Sequence, residues 1–287
     1  MEPVDLSGIN VQRVEEMIWT ISPRFLFDDL TYEDFEPHRD WLVPHFSTEE
    51  LKMRLSIHTF VVRTAHHTIL VDTCVGNHKK RDVPLWNNME SDYLARLTAS
   101  GVDPKEVDYV MCTHMHVDHV GWHTRAENGR WVPTFPKAKY LFHQREWDFW
   151  RQTDDENQQE VLRDSLVPIV DAGLAVMVED DFAIEDQIRL EPTPGHTPGH
   201  CSVQLGAGAR PGAVITGDMI HHPSQIREPH WTSRVCWDRA LSATTRQAFL
   251  ERYANTDTVI LGTHFAPPTA IRVAERGGQF SLRHLAG

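Results

Sequence analysis

The sequence Thr113-His114-Met115-His116-Val117-Asp118-His119 places three histidines and one aspartate within six residues. This histidine motif, residues 113–119, directly follows Val107–Cys112, an apolar run of the type that forms a buried strand. On an extended chain the side chains of His114 and His116 point the same way. Asp118 and His119 follow where the chain turns, so they face a second point close by. This spacing of imidazoles and a carboxylate is typical of a metal site.

Three more candidate ligands stand elsewhere in the chain, each just after an apolar run typical of a strand. They are His196, in a loop rich in proline and glycine, Asp218 and His264. Layered α/β proteins usually place their sites at the carboxyl ends of strands. His200, in the same loop as His196, is expected to hydrogen-bond within that loop. The candidate ligands, enough for two metals and one bridging carboxylate, are His114, His116, Asp118, His119, His196, Asp218 and His264.

The composition is that of an ordinary globular enzyme. The chain has 287 residues, of which 40% are hydrophobic and 24% charged, and its net charge is −13. An acidic surface repels phosphate backbones and anionic lipids, which excludes nucleic acid and membrane as expected partners. No apolar run reaches the roughly 18 residues of a membrane span. We expect no secretory signal, and four widely separated cysteines are typical of reduced thiols, so a cytoplasmic location is predicted.

The order of the strand-like and helix-like segments predicts the fold class. Two short β-branched runs, His58–Arg63 and Thr68–Asp72, predict a hairpin. Asp92–Ser100 has helical spacing, and strands and helices then alternate. The long helix Asp238–Tyr253 and the strand Thr258–Leu261 are predicted to close the chain. This pattern indicates a layered α/β protein with mixed sheets.

Residues 1–55 are the least regular part of the sequence. We predict that they form an N-terminal extension that packs on the domain or on a dimer partner, and that residues 56–287 form the main domain, which carries the candidate ligands. The extension carries scattered aromatic residues. Two roles stay open for them: walls of an apolar pocket, or a buried homodimer face.

The motif set resembles the metallo-β-lactamase superfamily, in its dinuclear HxHxDH hydrolase branch. The similarity runs from about Ile57 to His264 and includes Ile69–Thr73, where Asp72 resembles an aspartate that orients a ligand histidine. The resemblance implies a four-layer αβ/βα sandwich of two mixed β-sheets, with the metals at one edge between the sheets.

The resemblance also implies how the ligands divide. His114, His116 and His196 would hold one metal, Asp118, His119 and His264 the other, and Asp218 would bridge them. Nitrogen and oxygen ligands suit two zinc ions, without distinguishing zinc from iron, manganese or cobalt. Two cations about 3.5–4 Å apart share a bridging hydroxide, which serves as the nucleophile. Asp118 or Asp218 is the expected proton donor to the leaving group.

Departures from related groups narrow the substrate. The commonest β-lactamases place Arg where His119 stands and Cys where Asp218 stands, which disfavours lactams. Acyl-homoserine lactonases share the seven ligands but place Tyr where His221 stands. The His221 imidazole is a candidate donor to a substrate carbonyl, with a solvated turn, together with His222, as the alternative. The long N-terminal segment resembles the methyl parathion hydrolase and aryl-esterase group.

The predicted activity is therefore metal-dependent hydrolysis of a small, apolar, uncharged ester, lactone or phosphotriester. Two other enzymes on the same fold remain as alternatives: an iron-dependent oxidoreductase resembling persulfide dioxygenase, and a hydrolytic dehalogenase. A binding module without catalysis is disfavoured, because it has no need to keep every ligand.

Overall fold

The computed structural model describes residues 3–208 and 210–285. Its strands are β1 (Val4–Asp5), β2 (Asn10–Ile21), β3 (Met53–Arg63), β4 (Thr68–Val71), β5 (Tyr109–Met111), β6 (Thr124–Glu127), β7 (Arg130–Pro133), β8 (Lys139–His143), β9 (Ala175–Val178), β10 (Ala183–Ile184), β11 (Ile188–Pro192), β12 (Cys201–Leu205), β13 (Ala213–Ile215), β14 (Val259–Leu261), β15 (Ala270–Arg276) and β16 (Gln279–His284). Its α-helices are α1 (Pro23–Leu26), α2 (Tyr32–Phe35), α3 (Arg39–Leu42), α4 (Tyr93–Ala99), α5 (Gln144–Trp150), α6 (Glu156–Val161), α7 (Val167–Asp171), α8 (Ser224–Arg227) and α9 (Arg239–Tyr253). A π-helical stretch, Leu162–Leu166, lies between α6 and α7.

The described residues form two seven-stranded sheets and a two-stranded ribbon of β6 and β7. The first sheet has the order β1-β2-β3-β4-β5-β8-β9 and is parallel from β4 to β9. The second runs in chain order from β10 to β16 and is antiparallel except where β13 pairs with β14. Both sheets are mixed, so the predicted α/β class with two mixed sheets is confirmed.

The chain divides into two compact units. The first unit lies within Glu2–Glu16 and Ile57–Glu179, and the second within Met17–Ser56 and Asp180–Gly287. Each unit contains most of one sheet and one part of the predicted ligand set. The division into an extension of residues 1–55 and a domain of residues 56–287 stays a prediction.

The sheet of the first unit follows from apolar β-branched runs. Ile69, Leu70 and Val71 of β4 are fully buried, as expected of a parallel strand that is covered on both faces. β3 and β4 form the predicted hairpin, with Phe60 opposite Val71 and Arg63 opposite Thr68. This pairing ends β4 directly before Asp72, next to β5 and the histidine motif.

The second unit contains two apolar clusters. One packs Phe249, Leu250 and Tyr253 of α9 against strands β13 to β16. The other buries Phe27, Phe35 and Phe46 with Trp231 and neighbouring aliphatic side chains: Ile21, Leu26, Leu42, Leu51, Met53 and Leu55. Phe27, Phe35 and Phe46 therefore pack in the core of this unit. From the sequence we expect such residues to line a pocket or to form a dimer face.

Two parts of the chain differ from the prediction. Residues 1–55 contain the 12-residue strand β2, whereas the sequence pattern is irregular there. The predicted helix and strand near the end of the chain are present as α9 and β14, but the hairpin of β15 and β16, which was not predicted, follows them. Among the residues that the structure describes, no helix is both long and apolar enough to cross a membrane.

Candidate metal centre

The histidine motif lies in the first unit, directly after β5, and three of its imidazoles cluster there. His114 Nε2 is 3.0 Å from His116 Nδ1, and the ring centres of His114 and His119 are 4.0 Å apart. His119 Nε2 is 3.6 Å from a carboxylate oxygen of Asp118. His114 and His119 are fully buried, whereas His116 and Asp118 are half-buried. The first unit therefore brings all four predicted motif ligands together.

Two neighbouring residues orient these imidazoles. Asp72, fully buried at the end of β4, lies with Oδ2 3.0 Å from His119 Nδ1. The same carboxylate accepts hydrogen bonds from the backbone N–H and the hydroxyl of Thr113. Thr113 Oγ1 lies 3.1 Å from His114 Nδ1. With Nδ1 occupied in each ring, Nε2 is the nitrogen that remains for a metal, so Asp72 has the predicted orienting position.

The other predicted ligands lie in the second unit, around the carboxylate of Asp218. Oδ1 is 3.0 Å from His264 Nε2, and Oδ2 is 3.5 Å from His196 Nε2. His221 Nε2 is 3.3 Å from the same Oδ2. All four side chains are buried, and we call them the Asp218 cluster. One carboxylate thus presents each of its oxygens to a different predicted ligand histidine.

The histidines of the Asp218 cluster are also anchored at Nδ1. His264 Nδ1 lies 3.1 Å from the backbone oxygen of Ser56, which accepts a hydrogen bond from the ring N–H. Cys236 Sγ lies 3.6 Å from His196 Nδ1. In both rings the nitrogen that faces Asp218 is Nε2, as it is the nitrogen left over in His114 and His119. An oxygen beside Nδ1 in His264 and in His119 favours the tautomer whose Nε2 is available to a metal.

His200 and His222 hold the backbone around the Asp218 cluster. His200 Nε2 accepts the backbone N–H of Asp218 at 2.9 Å, and its Nδ1 pairs with Thr193 Oγ1 at 2.8 Å. The predicted bond within the loop is therefore present, together with a second bond to a ligand residue. His222 Nε2 lies 2.9 Å from the backbone oxygen of Phe46.

His221 is buried among the ligand histidines. Its ring stacks nearly parallel to that of His264 and packs edge-on to that of His196. Burial lowers the pKa of His221, which keeps the imidazole neutral near pH 7. His221 and His222 are 2% and 0% exposed, so the alternative of a solvated turn is wrong.

The donors fit divalent transition metals. Each unit offers imidazole nitrogens and carboxylate oxygens as donors, which suits zinc and its neighbours in the first transition row. His196, Asp218 and His221 place one donor atom each within 4.8 Å of one another. Buried imidazoles whose Nε2 atoms face other donors match a metal better than a hydrogen-bonded core.

Sequence reasoning missed Cys236 and Ser56, which anchor two of the ligand rings. Cys236 lies 40 residues from His196, and Ser56 offers only its backbone oxygen. No local pattern in the sequence signals either contact, because both depend on how distant segments pack.

Comparisons with known proteins agree with this geometry. The family model described as the metallo-beta-lactamase superfamily matches residues 53–264. An N-acyl homoserine lactonase of a Bacillus species is 24% identical over 182 residues, which are 58% of this chain and 65% of that protein. The chain thus spans slightly less than two thirds of that lactonase.

Two solved structures share the whole fold. AidC, described as a dizinc quorum-quenching lactonase, superposes with a TM-score of 0.83 at 16% identity, covering 100% of this chain and 97% of AidC. The hydrolase AbOPH superposes with a TM-score of 0.81 at 21% identity, covering 99% of this chain and 97% of AbOPH. At such identities the likeness concerns the fold alone. The family model, by contrast, matches most of the chain, including the histidine motif, His196, Asp218 and His264. The chain belongs to the metallo-β-lactamase superfamily.

Proposed function

We propose that the chain is a dinuclear metallohydrolase that opens small, apolar, uncharged lactones. His114, His116 and His196 hold one metal, Asp118, His119 and His264 hold the other, and Asp218 bridges them. Zinc is the proposed metal for both positions. The proposal rests on the family, on the donor types, and on the repeated anchoring of ligand histidines at Nδ1.

One observation carries the dinuclear assignment. A bridging carboxylate needs a ligand partner on each of its oxygens, and the two oxygens of Asp218 face His264 and His196 separately. In the proposed division these two histidines belong to different metals. A single-metal site would need only one of these contacts.

The bound metals would supply Lewis acidity, activating a water molecule and polarising the substrate carbonyl. The chain's own residues supply the rest. Asp118 is half-buried, so its carboxylate can reach a substrate. It would take up the proton that the attacking water releases and pass it to the leaving oxygen when the ring opens. Neutral His221, whose Nε2 lies 3.3 Å from Asp218 Oδ2, would donate a hydrogen bond to a substrate carbonyl that enters the site.

The substrate class follows from charge and from the relatives. A net charge of −13 disfavours anionic substrates, and we propose a neutral one. The curated relative from Bacillus carries the name of a lactonase, which favours a lactone over a phosphotriester or a simple ester.

The test is a substrate panel with zinc-loaded protein. Neutral lactones, aryl esters, phosphotriesters and chlorinated aromatics are assayed beside a charged glutathione thioester. We expect the highest kcat/KM for a lactone, and loss of that activity in His264→Ala. Hydrolysis of the charged thioester alone would contradict the proposed substrate class, and thiol-dependent oxygen uptake by an iron-loaded sample would favour the oxidoreductase.

A further inference from the structure

Met115, the residue between the two leading histidines of the motif, is held by side chains of two helices. Its backbone N–H donates to Glu146 Oε2 of α5 at 3.1 Å. Its backbone oxygen accepts from Gln158 Nε2 of α6 at 2.7 Å. Met115 and Glu146 are 0% and 1% exposed, and Gln158 is 7% exposed. The two peptide groups that join His114 to Met115 and Met115 to His116 are therefore both fixed by buried side chains.

Helix α5 also contacts His116 through the ring of Trp150. The Trp150 indole N–H donates to Glu146 Oε2 at 2.8 Å, so one carboxylate oxygen accepts both the peptide and the indole. The Trp150 ring lies 5.2 Å from the His116 ring, centre to centre. One helix thus sets both the backbone before His116 and the position of the His116 ring.

Helix α6 is itself held in place. Asp155 caps it by accepting the backbone N–H of Gln158 at 2.8 Å. This bond fixes the start of the side chain that reaches Met115. The donor on one side of Met115 and the acceptor on the other therefore both come from ordered helices.

The geometry matters because His114 and His116 must present their nitrogens to one metal. A rotation of either peptide group beside Met115 would swing one ring relative to the other. A buried hydrogen bond resists that rotation, since breaking it leaves an unsatisfied polar group. Residues that orient ligands in this way commonly affect metal affinity by 10- to 100-fold.

We propose that Glu146 and Gln158 are positioning residues of the metal centre, acting through the two peptide groups of Met115. Trp150 completes this arrangement by holding both Glu146 and the His116 ring. The proposal rests on the proposed function, because it assigns His114 and His116 to a metal. The part that concerns the backbone is independent of any metal.

The first measurement therefore uses metal-free protein. Amide hydrogen exchange of the segment 112–117, read by mass spectrometry, should be at least about tenfold faster for Met115 in Glu146→Leu. Glu146→Gln keeps an oxygen that accepts both bonds and should exchange close to the wild-type rate. If Glu146→Leu does not fold, Gln158→Met provides the test through zinc affinity.

The second measurement is zinc affinity by competition with a chelating dye. Glu146→Leu and Gln158→Met should bind zinc about 10- to 100-fold more weakly than wild type. Gln159→Met is the matched control, since Gln159 of the same helix donates to the backbone oxygen of Thr153. It should leave zinc affinity unchanged.

Unchanged exchange at Met115 and unchanged zinc affinity in the test variants would overturn the proposal. An equal loss of zinc affinity in Gln159→Met would overturn it too, because the effect would then come from the helix in general. A wild-type protein that binds zinc but cleaves no lactone would count against the proposed function alone, since the exchange readings do not depend on turnover.

Discussion

Replacing Asp72 by asparagine tests how the ligand histidines are oriented. The carboxylate of Asp72 accepts from the Thr113 N–H at 2.8 Å and lies 3.0 Å from His119 Nδ1. Asparagine keeps the shape and one acceptor oxygen. Its NH2 group must then face either the Thr113 N–H or the protonated Nδ1 of His119, so one donor loses its acceptor.

The expected loss follows from the 3.0 Å contact between the Asp72 carboxylate and His119 Nδ1. A bond to a buried charged group contributes about 1.5–3 kcal/mol. If His119 loses it, the ring is free to carry its proton on Nε2, the nitrogen assigned to the metal. We expect zinc affinity to fall about 10- to 100-fold, which corresponds to about 1.4–2.7 kcal/mol. Activity should fall at limiting zinc and recover in excess zinc.

Zinc affinity is measured by chelator competition, with Asp108→Asn as the control. Asp108 Oδ2 accepts the backbone N–H of Thr68 at 2.8 Å, at the opposite end of β4 from Asp72. The control should lose some stability but no zinc affinity. Wild-type zinc affinity in Asp72→Asn would refute the role given to this carboxylate.

Three further predictions concern other parts of the molecule. Gly195 has a φ of +130°, and a methyl group there would lie 2.4 Å from a backbone nitrogen of α9. Gly195→Ala should therefore lower the free energy of unfolding by about 1–3 kcal/mol. Gly173→Ala, where the methyl group would enter open space, should lower the free energy of unfolding by less. Cys236→Ala should weaken zinc binding about tenfold, because His196 Nδ1 loses its neighbour, whereas Cys236→Ser should retain most of the zinc affinity. Equal zinc affinities of the alanine and serine variants would contradict this role of Cys236. Burial lowers the pKa of His222 to about 4, so below about pH 6.5 the unfolded chain binds a proton at this residue that the folded chain does not. In urea unfolding, the free energy of unfolding should therefore fall by about 2 kcal/mol between pH 7 and pH 5. This drop should be smaller in His222→Asn.

The parts of the fold that the sequence predicts best are those with strong local patterns. The hairpin of β3 and β4 and the strand before the histidine motif are continuous apolar runs, and burial on both faces explains them. The candidate ligands outside the motif were proposed because each follows such a run. The rule that sites lie at the carboxyl ends of strands needs only the direction of each strand, and the sequence gives that direction.

Strand β2 was missed because a buried charge interrupts its pattern. Glu16 lies in the middle of β2, and its carboxylate accepts the Val75 N–H at 2.8 Å and the Trp122 indole N–H at 2.6 Å. Burial raises the pKa of Glu16. A glutamate in such a strand reads as solvent-exposed unless its distant partners are known. The closing hairpin did carry a signal, the pair Gly277-Gly278, both with positive φ.

Apart from Asp72, the residues that contact the candidate ligands could not be predicted. Cys236 lies far along the chain from His196, and Glu146 lies 31 residues after Met115. Their roles come from single contacts made in the folded chain. A sequence pattern locates donors that share one strand end, whereas the partners of those donors depend on tertiary packing.

We propose that the histidine motif and the Asp218 cluster supply ligands to two metal ions. The most direct test is elemental analysis of protein that has been saturated with zinc and then freed of excess metal. We expect two zinc ions per chain, with fewer retained when Asp218 is replaced by alanine. A content of one metal per chain, or two that persist in Asp218→Ala, would contradict it.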